Sequence, residues 1–264
     1  MDIGPADTYI PDHYNVVLSS WFGNNLGKDV LTTEKGRISR VLPDLFGYHI
    51  LQIGSPAGIY FLDSSRINHK IVTCQFVPAE STHKPDLLSN NNALPVMSES
   101  MDVVLLPHVL EFEDNPHQIL RESERVLIGE GHLVIIGFNP LSFWGCWRLF
   151  LAWRDHPPWN GKYISLTRLK DWLTLLDFEI IKTEKFFFRP PLKNIKLMQK
   201  LKFMEQLGQY CWPYFGGVYL LVAKKRVVSM TPIKLQWQSR RRMITSGLIE
   251  PSARLKDQYK NSGQ

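Results

Sequence analysis

The chain has 264 residues, 44% apolar and 21% charged, with eight Trp and a formal charge of +6. That balance excludes collagen-like, coiled-coil and wholly disordered classes, and the length suits one or two ordinary domains. The charge is uneven: residues 224–264 hold ten bases and two acids, which is +8 and leaves residues 1–223 at −2, so the basic character belongs to the end of the chain and not to its body.

Residues 1–20 are polar and lack the apolar core of a secretory signal, so they read as a lead-in to a domain over 21–228. No stretch approaches eighteen apolar residues, which predicts no membrane insertion. From Leu31 to Leu45 apolar positions recur at helical spacing and stop at Pro43 and Gly47. Short apolar strands follow at 49–53, 70–77, 102–106 and 132–138, ended by Gly54, Pro78, Pro107 and Asn139-Pro140. Three of them are nearly continuous apolar runs, the pattern of strands buried on both faces of a parallel sheet. Asn115 and Pro116 suit the cap and first position of a helix that carries Ile119, Leu120, Val126 and Leu127 and ends near Gly129. Strand, helix, turn and strand here make a βαβ unit.

A second helix opens at Ser165 or Thr167, with Leu169, Trp172, Leu173 and Leu176 on one face, and a strand follows over 178–188. Residues 192–209 read as a basic helix, and 218–224 as a final strand. That last strand is expected to lie antiparallel beside its predecessor. From Thr231 the periodicity is lost, so 229–264 reads as a basic, flexible tail able to meet anionic lipid or RNA. The predicted fold class is α/β, an open sheet with helices on both faces. Three widely spaced cysteines, Cys74, Cys146 and Cys211, argue against a disulfide framework and a zinc ribbon and fit the cytoplasm; Cys146 and Cys211 read as buried small hydrophobes.

Ligands in such a sheet bind at the carboxyl ends of the strands, near the reversal of strand order. The residues placed there are 52–58, with Gln52, Gly54 and Gly58, then Cys74 and Gln75, then 90–94, opening at Asn90, then Pro107 and His108, then Asn139. His108, Glu111, Asp114 and His117 recur every third residue, yet Pro116 and the cap at Asn115 break a common face, so a polar rim is expected and no metal. Phe143, Trp144, Trp147, Phe150, Trp153 and Trp159 crowd residues 141–163, an aromatic lid, a helix packed on the sheet or a membrane-surface stretch.

The segments LQIG (51–54), ALP (93–95), SMDVVLLPHVLEFEDNPHQILRESERVL (100–127), GHLVIIGFNPLSFWG (131–145), ISLTRLKDWLTLLDFEI (164–180) and GGVYLLVAKKR (216–226) resemble the class I S-adenosylmethionine-dependent methyltransferases. More narrowly, they are similar to the bacterial YafS-like group. The resemblance implies a Rossmann-like, mainly parallel seven-stranded sheet with an antiparallel last strand. It also implies S-adenosylmethionine as cofactor, with S-adenosylhomocysteine as product. In the family's terms the Gly54 turn and Gly58 would lie at the methionine end, and Gln52 would hold the amino group. Cys74 or Gln75 would occupy the column of the ribose-binding acid, Asn90 would face the adenine amino group, and Pro107 and His108 would flank the middle of the cofactor. Asn139, Trp144 and Trp147 would line the side of the acceptor, a small apolar or lipid-like molecule. Two columns depart from the pattern: the first loop reads GSPAG and the ribose acid is missing. A charged hydrogen bond is worth about 1.5–3 kcal/mol, so the loss predicts roughly ten- to hundredfold weaker binding unless Gln75 substitutes. An acid placed at Cys74 or Gln75 is then expected to tighten the cofactor. The reading is methyl transfer; the alternative is a binding protein of this fold that has lost catalysis.

Overall fold

The computed structural model describes residues 20–55, 58–75, 84–151, 158–159, 161–191 and 214–227, with Lys200, Glu205, Gly208, Tyr210 and Trp212 between the last two. The chain divides into a unit from Met1 to Val227 and a second from Val228 to Gln264. The second unit, the lead-in up to residue 19 and most of the basic helix expected over 192–209 lie outside the described residues.

Helix α1 (Asn25–Val41) buries Val30, Glu34, Ile38 and Val41 on one face, and a 3-10 turn over Leu42–Asp44 with Pro43 in its first positions closes it. It starts earlier than its apolar spacing suggests. Strands β1 (His49–Ile53), β2 (His69–Cys74), β3 (Leu87–Leu88) and β4 (Met101–Pro107) follow. Then come α2 (Pro116–Val126), β5 (Leu127–Phe138), α3 (Phe143–Leu151), α4 (Leu166–Leu175), β6 (Phe178–Phe186) and β7 (Val218–Lys225). They form one seven-stranded sheet in the order β3-β2-β1-β4-β5-β7-β6. Pairings from β3 through β5 are parallel, and β7 inserts antiparallel between β5 and β6.

Alternation along the strands divides the core in two. Ile50, Val103, Leu105, Val134, Ile136 and Leu220 share a cluster with α1 residues Val30, Ile38 and Val41 and with Trp144 of α3. Leu51, Val104, Leu106, Leu133, Ile135 and Leu221 share the other with Ile119 and Leu120 of α2 and Leu169 and Leu173 of α4. Side chains removed from water on both faces explain the continuous apolar runs, and each contributes about 1.5–3 kcal/mol.

Four boundaries differ from expectation. Helix α2 needs no terminating Gly129, because the Arg125 and Val126 carbonyls accept from Glu99 and Ser100 N–H. Strand β5 therefore begins at Leu127, and the extra residues are absorbed where Met101 pairs with Leu127 but Val103 with His132, with Glu130 at φ 68. Strand β6 stops at Phe186 because Phe187 takes φ 62 and donates its N–H to Glu205. Strand β2 stops at Cys74, and Gln75 begins a bend. Among the described residues no helix is long and apolar enough to cross a membrane.

Candidate cofactor site

The strand order reverses between β1, whose next partner outward is β2, and β4, which leads to β5. A crevice forms at the carboxyl ends of strands at such a reversal. Gly54 sits there at φ 76, with its N–H donated to the Thr73 carbonyl at 2.8 Å. A Cβ at Gly54 would lie 2.6 Å from Val109 Cγ2, so glycine is required both by the left-handed backbone and by the approach of the β4 loop. Gly58 also has positive φ, at 64, and closes a turn onto the Ser55 carbonyl.

Gln52 is fully buried. Its Nε2 donates to the carbonyls of Gly54 at 3.1 Å and Ile59 at 2.8 Å, and its Oε1 accepts from Phe61 N–H at 3.1 Å. The amide thus braces the loop from inside, in place of the expected reach toward a methionine amino group. Cys74 is buried as well; burial pushes its thiol up to about 11, against a weaker downward pull from hydrogen bonds with Ser55. It is a neutral thiol at neutral pH and offers no anion at the end of β2. Gln75 Nε2 donates instead to Glu113 Oε1 at 2.8 Å, and Asn91 Nδ2 donates to the same oxygen at 2.8 Å. Asn90 is exposed and its Oδ1 accepts from Asn92 N–H, which ties its acceptor to its own turn. The neighbouring Asn91 is buried, and its Oδ1 has no hydrogen-bond partner.

After Pro107 the chain turns at His108, which takes φ 52 and is buried. Its Nε2 lies 2.8 Å from Glu34 Oε1 of α1, and its Nδ1 lies 3.4 Å from Glu111 Oε1. The ring packs on Phe138, centroids 4.3 Å apart. Burial pushes its pKa down, but the Glu34 charge and the hydrogen bonds to both carboxylates outweigh it and raise the value to about 10. His108 is therefore an imidazolium latched to two acids, with neither nitrogen left to meet a ligand or take a proton. Glu111 Oε1 also accepts from Phe138 N–H at 2.7 Å. Around this group Glu34 Oε2, Glu111 Oε2, Tyr163 Oη and Tyr219 Oη are buried without a hydrogen-bond partner. Burial and then the Glu111 charge push both phenols well above their ordinary values.

Past β5, Asn139 is buried and works as a staple. Its Nδ2 donates to the carbonyls of Tyr214 and Gly216, and its Oδ1 accepts from Leu141 N–H. Trp144 belongs to the core, stacked on Phe138, with its indole N–H donated to the Arg189 carbonyl. Trp147 is exposed, as are Leu141, Phe143 and Phe215. Cys146 is exposed rather than buried, and Cys211, Phe150 and Trp153 lie outside the described side chains. Of the residues spaced every third position, His108 and Glu111 meet, whereas Asp114 pairs with Lys162 and His117 packs on Trp172.

Glu34 and Glu113 lie outside the residues that the sequence places here, whereas Asn91 falls in the expected stretch 90–94 and Glu111 in the expected polar rim. A signal existed for Glu34: it sits in the stripe Val30, Glu34, Ile38, Val41, where a charge on an apolar face calls for a partner. No such spacing marks Glu113, whose partners come from other loops.

The family described as methyltransferase domain matches residues 51–135. A protein of Escherichia coli (strain K12), YafS, is 34% identical over 188 residues, which are 71% of this chain and 72% of that protein. Among solved structures, a SAM-dependent methyltransferase from Thermotoga maritima aligns with TM-score 0.56 at 17% identity, over 80% of this chain and 99% of that one. Another from Archaeoglobus fulgidus aligns with TM-score 0.52 at 19% identity, over 74% and 94%. Both show the same fold. With the sheet order and the left-handed Gly54 turn at its reversal, these matches establish that the chain belongs to the class I S-adenosylmethionine-dependent methyltransferases, in the group that includes YafS.

Proposed function

We propose that the protein transfers the methyl group of S-adenosylmethionine to a small, apolar or lipid-like acceptor. The observation that carries the reading is the Gly54 turn at the β1/β4 reversal. The residues around it fit a nucleoside: a buried and unpartnered acceptor at Asn91 Oδ1, and a carboxylate at Glu113 beside the end of β2. When bound, the cofactor supplies a methyl already activated by its sulfonium, so the chain must align and shield and needs little acid–base chemistry. That agrees with His108 being committed to Glu34 and Glu111. The protein's own work is positional. Gln52 and Ser55 set the loop, both hydrogen-bonding the Ile59 carbonyl. Glu34 ties α1 down onto the β4 loop. Arg125 pins the segment after β3 through the Leu94 and Val96 carbonyls.

An apolar acceptor is favoured by the exposed Leu141, Phe143, Trp147 and Phe215, held near the carboxyl end of β5 by the Asn139 staple. Titration calorimetry with S-adenosylhomocysteine tests the cofactor half of the reading, and transfer of labelled methyl into lipid extracts against water-soluble extracts tests the other. Saturable binding with label in the lipid fraction is expected. No heat at millimolar ligand contradicts the first half, and label confined to polar molecules contradicts the second.

A further inference from the structure

We propose that Glu113, delivered by the loop after β4, supplies the carboxylate that hydrogen-bonds the ribose hydroxyls of the bound nucleoside. The inference rests on the cofactor reading above. A vicinal diol presents two O–H donors, and a carboxylate is its strongest neutral-pH acceptor. In doubly wound sheets that acid usually stands at the end of the second strand. Here β2 ends in Cys74 and Gln75, a protonated thiol turned to Ser55 and an amide that is itself a donor to Glu113.

Two amides from two strand ends converge on one oxygen of Glu113: Gln75 Nε2 from beyond β2 and Asn91 Nδ2 from the turn beyond β3, both at 2.8 Å. Strands β2 and β3 are parallel, with Cys74 beside Leu88, so both amides issue from the same, carboxyl edge of the sheet. The carboxylate is therefore held across the ends of the strands where an acid is otherwise missing. Both amides bond the same oxygen, Oε1.

The second observation is Asn91. It is 6% exposed, it turns its Nδ2 to Glu113, and its Oδ1 is buried with no partner. An orphaned buried acceptor is costly. Its presence beside a carboxylate marks a place for a ligand that brings donors of its own, which a nucleoside does. The loop is shaped for this delivery: His108 at φ 52 reverses the chain after β4, and Phe112 N–H closes a turn on the Val109 carbonyl, just before Glu113.

This assignment inverts the expectation for Gln75. If the acid of the site already comes from Glu113, Gln75→Asp removes an amide donor and sets a second carboxylate against it. Binding of S-adenosylhomocysteine and of its 2′-deoxy analogue is to be measured by calorimetry for the full chain, for Glu113→Gln and for Gln75→Asp. The expected results are a roughly tenfold weaker Kd for S-adenosylhomocysteine in Glu113→Gln, a much smaller loss for the 2′-deoxy analogue, and weaker binding in Gln75→Asp. Equal losses on both ligands, as a merely structural Glu113 would give, overturn the proposal. So does tighter binding in Gln75→Asp, which decides the matter even where Glu113→Gln fails to fold. If the unmodified chain binds neither ligand, the cofactor reading itself fails and takes the inference with it.

Discussion

At the scale of single residues, the buried ring of His108 sits between the carboxylates of Glu34 and Glu111. Its pKa, near 10, lies above the ordinary histidine value. The stability it lends is thus fully present below about pH 6.5 and is lost as pH rises through about 10. Removing one member of a buried pair costs about 3–5 kcal/mol, because the remaining charge is stranded. His108→Gln is expected to lower the melting temperature most at pH 6, with the gap to the unmodified protein closing toward pH 10. A gap independent of pH would show that His108 is not charged in the folded state. Gly54 makes a simpler case. Ala there must adopt positive φ and meet Val109, so Gly54→Ala is expected to abolish S-adenosylhomocysteine binding; unchanged binding would remove Gly54 from the site.

Among single residues, the sequence reveals those whose reason is local. A glycine after a buried strand and a polar residue before an apolar stripe are both visible in the chain. Glu113 is not, since what makes it notable is two amides reached from 38 and 22 residues away. The roles expected of Gln52, Asn90 and Trp144 shift for a related reason. Each side chain is taken up by neighbouring backbone or by the core.

Elements follow from short-range patterns, and their caps are the easiest part to test. Asn115 accepts from Gln118 N–H at the start of α2, with Pro116 in the first turn, and Ser165 does the same for α4 through Arg168 N–H. Asn115→Ala is expected to cost about 1 kcal/mol, a loss of roughly 2–4 °C in melting temperature for a domain of this size. No change would mean that the Pro116 start suffices. Strand β3 escapes sequence reading because it has two residues, both exposed, and so carries neither periodicity nor length. The opening of β5 escapes it too, because the carbonyls that end α2 are satisfied by the lead-in to β4, a partner distant in sequence. Continuous apolar runs, by contrast, reveal β1, β4 and β5 directly, since both faces of the sheet are covered.

For the whole molecule, strand order is what gathers residues from four separate loops at one edge. Sequence reading reaches this order through resemblance and not through periodicity, which sets no neighbours. The charge is organised on the same scale, with +8 in residues 224–264 against −2 before them. Any retention on RNA or anionic vesicles through these bases is expected to fall steeply with salt and to vanish when 229–264 is deleted; retention that survives the deletion would place the contact elsewhere. Whether a nucleoside lies across the carboxyl ends of β1, β2 and β4 is decided by a crystal structure of the protein with S-adenosylhomocysteine. The ligand is expected beside Gly54 with its ribose hydroxyls on Glu113. Ligand density at another edge of the sheet, or a ribose that touches no atom of Glu113, would contradict it.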